Sequence, residues 1–169
     1  VRMQFYPLLM FFDLLLFFVN ALFEDTVFEG YILRNLAASI NKYVAVAVMA
    51  TVFGLFHVNN PNMNFLGIFN IMLLFAFTGT YYIHTRNLFF PIFFHTFWNF
   101  IQGSCYGLRV SGIYTEGILK TQISGSSLIS GGNVGFEGSL VVTFILVGGI
   151  FVLHLLYRTK QVSQIRFPE

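Results

Sequence analysis

The sequence predicts an all-α fold, a polytopic integral membrane helical bundle with about five to six membrane helices, since a spanning helix takes about 20 mainly apolar residues. Composition is the first observation behind it. The chain is 56% hydrophobic and 9% charged, with a mean hydropathy of +0.74, against roughly 45–50% apolar and about 25% charged in soluble domains. Twenty-three Phe and only four Pro among 169 residues suit packed membrane helices. Apolar runs of spanning length, separated by clusters of turn formers, are the second. The third is the set of acids, imidazoles and amides inside those runs, where such groups are costly and are expected to face a cavity or one another.

The elements follow where polar residues and turn formers interrupt the apolar runs. The first segment runs from about Phe5 to Phe23 and continues as a more polar helix through Glu24 to Ile40. Asp13 lies within it, and no small-residue cleavage site follows, so it reads as a retained helix and not as a signal peptide. The second covers Tyr43 to Val58 and stops at Asn59-Asn60-Pro61-Asn62, because proline disfavours helix at the preceding residue. Phe65 to Ile83 is the third, and Leu88 to Tyr106 the fourth. A Gly/Ser-rich stretch from Gly107 to Gly138 precedes a final span, about residues 139–157, and a basic tail, residues 158–169. This organisation is a single transmembrane domain over residues 1–169, and a start at Val1 almost at the edge of an apolar run reads as an N-terminally incomplete chain.

Charge sets orientation and excludes one class of partner. The net charge of +2 is small and scattered, which argues against nucleic acid. With the C-terminal tail in the cytoplasm, Arg34, Lys42, Arg86, Arg158, Lys160 and Arg166 fall inside and Arg2, Arg109 and Lys120 outside, the asymmetry expected of membrane proteins. The same arrangement puts His57 toward the outer end of its helix while Glu24 lies deeper. Cys105 is the one cysteine, so no intrachain disulfide forms, and it reads as a small buried hydrophobe. Asp13 and His154 read as isolated interhelical or interfacial groups.

Candidate chemistry begins at Phe23-Glu24-Asp25-Thr26-Val27-Phe28-Glu29-Gly30-Tyr31. Adjacent carboxylates in a low-dielectric site do not both ionise cheaply, which leaves one able to act as a general base toward water. Asp25 and Glu29 share a helix face, and Glu24 points roughly 100° from Asp25. The plainer reading is a helix start in the interface, where acids are favoured. His57 shares a face with Phe53 and can accept a water proton, donate to an oxyanion or bind a metal, or simply cap its helix. His95 and Asn99, one turn apart and about 5–6 Å from each other, could hold a developing oxyanion or join two helices by hydrogen bonds. Gly131 to Ser139 lacks the Lys-Ser/Thr of a phosphate loop. It reads as a loop or re-entrant segment with Glu137 as a cap or cavity acid.

Together the motifs resemble those of the CPBP family of intramembrane proteases, also called the CaaX-protease or Abi family. Glu24-Asp25-x-x-x-Glu29 stands where the family has Glu-Glu-x-x-x-Arg, Phe53-x-x-x-His57 resembles its second motif and His95-x-x-x-Asn99 its third. Asn59-x-Pro61-Asn62, His95 to Gly103, Val110-Ser111-Gly112 and Gly131 to Ser139 are similar to a prokaryotic subgroup, giving a family-like core of about residues 20–140. The resemblance implies an intramembrane endopeptidase in a prokaryotic plasma membrane, in contact with membrane lipids and acting on a peptide or protein substrate, lipidated ones included. It implies that Glu24 and His57 activate a water, that Asp25 is the second acid, and that His95 and Asn99 stabilise the oxyanion. Metal use is open: Glu24, His57 and His95 could form a zinc site, or a Glu/His-activated water could act without metal. Two positions depart from the pattern. Asp25 is one methylene shorter than Glu, and Glu29 reverses the charge of the motif Arg. On Glu29 rests the alternative of a catalytically altered homologue that acts as a membrane scaffold or immunity-type binding protein. A small transporter with an ion path is a third reading.

Overall fold

A computed structural model describes residues 2–3 and 6–164, with side chains from 6 to 158. Helices dominate it. The first rod is continuous from Pro7 to Ser39: α1 (Pro7–Asp25), a wide π-helical stretch (Thr26–Leu33) and α2 (Arg34–Ser39). Pro7 at the first helical turn is tolerated because its missing N–H would be unpaired there anyway. Asn41 caps α3 (Lys42–Phe56) by accepting from the amides of Tyr43 and Val44. Asn64 caps α4 (Phe65–Thr85) in the same way through the amide of Gly67. Next come α5 (Phe89–Phe100), a second π stretch (Ile101–Cys105), the short α6 (Ser127–Ser130), a 3-10 turn (Phe136–Gly138) and α7 (Leu140–Gln164). A two-residue antiparallel pairing of β1 (Arg2–Met3) and β2 (Leu119–Lys120) is the only sheet among the described residues.

Three of these rods are long and apolar enough to cross a bilayer: Pro7–Ser39, Phe65–Thr85 and Leu140–Arg158. That is fewer than the five to six expected. Helix α3 has 15 residues, a length of roughly 22 Å against a hydrocarbon core of about 30 Å. His57, the residue after it, lines the same cleft as Asp25. The final helix runs past the expected end at 157, and the last residues of the basic tail, 165–169, lie outside the described residues.

Burial is the reverse of a soluble protein's. Phe11, Phe12, Leu16, Phe23, Phe144 and Phe151 are exposed, while Asp25, Glu29, Asn70, Asn99, Gln102, Ser104 and Glu137 are buried. Hydrocarbon solvates the first set, and the second must find partners inside. Helix α3 packs on α4, α1 on α5, and α4 on α7. Leu33, Val46, Met49, Phe53, Ile71 and Phe75 form the apolar centre between the first rod, α3 and α4. Cys105 is only partly buried. Asp13 is not isolated, since Ser104 donates to it at 2.8 Å, and His154 lies with its ring centroid 6.3 Å from that of Tyr43.

The Gly-rich stretch folds back over one end of the bundle. Asn60 and Asn62 donate to the carbonyls of Ser111 and Gly112, each at 3.2 Å, and Gly112 N–H donates to Val134 O at 2.8 Å. Gly112 has φ +81°, and a Cβ there would stand 1.8 Å from the Pro61 carbonyl oxygen. The turn after α3, the segment around Ser111 and residues 131–138 thus form one packed unit.

Candidate active site

The polar residues converge in one small, partly open cleft. Asp25 from α1, Phe53 and His57 from α3, Phe75 and Thr78 from α4, His95, Trp98 and Asn99 from α5, and Ser111 and Glu137 from the folded-back loop line it. Backbone irregularity flanks them. The first π stretch begins at the residue after Asp25, and the second begins two residues after Asn99. Wide turns of this kind recur at functional sites.

His95 is the hub. Its Nδ1 donates to Asp25 Oδ1 at 3.1 Å, and its Nε2 lies 4.0 Å from Glu24 Oε2. Both acids of the first motif therefore face the histidine of the third, although they lie on different sides of an ideal helix. Asn99 follows one turn along α5 and lines the same cleft. The His57 Nδ1–H donates to the Phe53 carbonyl at 2.8 Å, leaving Nε2 as the ring nitrogen available to a water or a substrate. Phe53 also packs against the His57 ring, at 4.8 Å between centroids, which fixes its plane. Glu24 is not among the cleft-lining residues, and its link to the site runs through His95.

Glu29 lies elsewhere. It is wholly buried and accepts from the Thr78 hydroxyl. Thr78 lines the cleft and Glu29 stands behind it. The Thr78-Gly79-Thr80 interruption of the third apolar run was the available signal for this partner. Glu137 proves to be a cavity acid. Burial pushes its carboxyl above the usual carboxylate range, against the pull of hydrogen bonds from Gln102, Trp98 and Ser111.

A scan against family models matches residues 6–101 to the type II CAAX prenyl endopeptidase Rce1-like family. The chain belongs to this family. It is therefore a member of the CAAX-type intramembrane protease family, in keeping with its membrane-length helices. No curated protein and no solved structure matches it. The matched span holds Glu24, Asp25, Glu29, His57, His95 and Asn99, starts earlier than the family-like core expected from motifs, and ends before the Gly-rich loop that carries Glu137.

The same geometry tests a metal for this CAAX-type site. Glu24 Oε2, Asp25 Oδ2 and Glu29 Oε2 are buried without hydrogen-bond partners, as cation ligands can be. Yet among the described residues no three His, Cys, Asp or Glu side chains are grouped to hold a metal ion.

Proposed function

We propose that this chain is an intramembrane endopeptidase that hydrolyses a peptide bond in a membrane-associated peptide or protein, with lipidated substrates among its candidates. The observation that carries the reading is the convergence on one cleft of His57, His95 and Asn99 with the two motif acids held against His95.

In this reading a water in the cleft gives its proton to the free Nε2 of His57 as its oxygen adds to the substrate carbonyl, with Glu24 acting on the cleft through His95. A neutral imidazole suffices as the base without a metal. Asn99 donates to the oxyanion that forms, as does His95 through Nε2–H when its ring carries both protons beside Asp25 and Glu24, and in a water-poor site each such donor is worth far more than in water. Asp25 holds the His95 ring in place. The C–N bond then breaks as the captured proton passes to the leaving amine, which yields a carboxylic acid and an amine.

The position of Glu29 supports hydrolysis over the altered-homologue alternative. A blocking role would put its carboxylate among the cleft-lining residues, and it stands behind Thr78 instead. The test is incubation of purified protein in lipid with a prenylated peptide and with an unmodified membrane peptide, followed by mass analysis. A new peptide terminus in either supports the proposal. Binding of peptide with no cleavage of either would favour the homologue that binds and does not cut.

A further inference from the structure

Glu137 is a buried acid to which the hydrolytic scheme gives no task. It is 1% exposed, and no Lys or Arg pairs with it among the described residues. Instead its carboxylate collects donors from three residues. Trp98 Nε1–H and Gln102 Nε2–H each donate to Oε1 at 3.0 Å, Gln102 Nε2–H also reaches Oε2 at 3.0 Å, and Ser111 N–H donates to Oε2 at 3.4 Å. The return bond is made by the backbone: Phe136 N–H donates to Gln102 Oε1 at 2.7 Å. Asn70 of α4 donates to the carbonyls of Glu137 and Ser139 at 2.6 and 2.8 Å.

These bonds tie the loop to one helix in particular. Trp98 and Gln102 lie on either side of Asn99, and Trp98 is three residues from His95. The helix geometry around Asn99 is loosened by the π stretch starting at Ile101, so the register of this segment depends on external anchors. Glu137 supplies two of them, and the packed glycines hold Glu137 in turn: a Cβ at Gly135 would stand 1.9 Å from the Arg109 carbonyl oxygen.

We infer that Glu137 is a positioning residue for the cleft, holding Trp98 and Gln102 so that His95 and Asn99 keep their places opposite His57. The inference rests on the hydrolytic reading for its catalytic consequence, while its geometric content stands apart from it. Misplacement of reacting groups by about 1 Å costs about 10²-fold in rate, and charge-assisted bonds in a buried network are strong and directional.

Trp98 is the single tryptophan of the chain, so its emission reports this contact directly. Excitation moves electron density from the pyrrole toward the benzene ring of indole, and a carboxylate at the N–H favours the excited state. In Glu137→Gln at mildly alkaline pH the emission should shift to the blue relative to the wild type. Glu137→Gln should also lose about 10²-fold in kcat per folded molecule with little change in KM, and Glu137→Ala should lose more. Unchanged emission in folded Glu137→Gln would overturn the inference whether or not the protein is a peptidase. Shifted emission with unchanged kcat would overturn it as well. If the wild type cleaves nothing, the hydrolytic reading fails, and the emission shift still decides whether Glu137 holds Trp98.

Discussion

His95 of α5 donates to Asp25 of α1 across 3.1 Å, and this bond joins two motifs separated by 70 positions. It orients the imidazole and links the two rods near the middle of the bundle. Asp25→Asn keeps the shape and removes the charge. The expected result is a fall in kcat of about 10²-fold or more, with a loss of stability of about 1.5–3 kcal/mol, typical of a hydrogen bond to a charged group. Steady-state kinetics and thermal unfolding in detergent measure the two effects separately.

Glu29 is a structural partner of Thr78 and lies outside the cleft lining. Glu29→Gln retains an acceptor for the Thr78 hydroxyl and should leave kcat within about threefold of the wild type, well under the cost of 1.4 kcal/mol per factor of ten. Thr78→Val leaves the buried carboxyl without its donor, and about 1–3 kcal/mol of stability should go with it. A comparison of melting temperatures with turnover for both variants checks this division.

Gly112 cannot carry a side chain where it is. Its φ of +81° and the 1.8 Å approach of a Cβ to the Pro61 carbonyl mean that Gly112→Ala should cost at least the roughly 1–2 kcal/mol of a left-handed L-residue. The loop around Ser111 should separate from the turn after α3. Limited proteolysis of the purified variant would show faster cutting between Gly107 and Gly138 than in the wild type.

Glu137 gives a pH dependence with a definite sign. Its folded-state pKa is raised by burial, so the native state holds this proton more tightly than the unfolded chain. That contribution to stability is complete below the ordinary carboxylate range and is lost as pH rises through the raised value. Melting temperatures should fall across this window in the wild type, and the fall should be shallower in Glu137→Gln.

Much of this was readable in advance, for identifiable reasons. Costly polar residues in apolar runs point to an interior site, and His57, His95, Asn99 and Asp25 do line one cleft. The helix limits came within a few residues because Asn41, Asn64 and the Asn59 to Asn62 turn are local signals. What was not readable depends on contacts distant in sequence. Thr78 meets Glu29 across 49 positions, Gln102 meets Glu137 across 35, and Asn70 meets Glu137 across 67. The π stretches were also hidden, since nothing in Thr26–Leu33 or Ile101–Cys105 departs from an ordinary helical pattern. The meeting of both motif acids with His95 is a long-range contact of the same kind, and Glu24 was assigned to His57 alone.

The central claim is that these residues form a hydrolytic centre. The most direct measurement is peptide cleavage by the purified, lipid-reconstituted protein beside its Glu24→Ala, His57→Ala and His95→Ala variants, each shown to be folded. The account predicts cleavage by the wild type and a loss of about 10²-fold or more in each variant. Equal cleavage by the wild type and all three variants would contradict it.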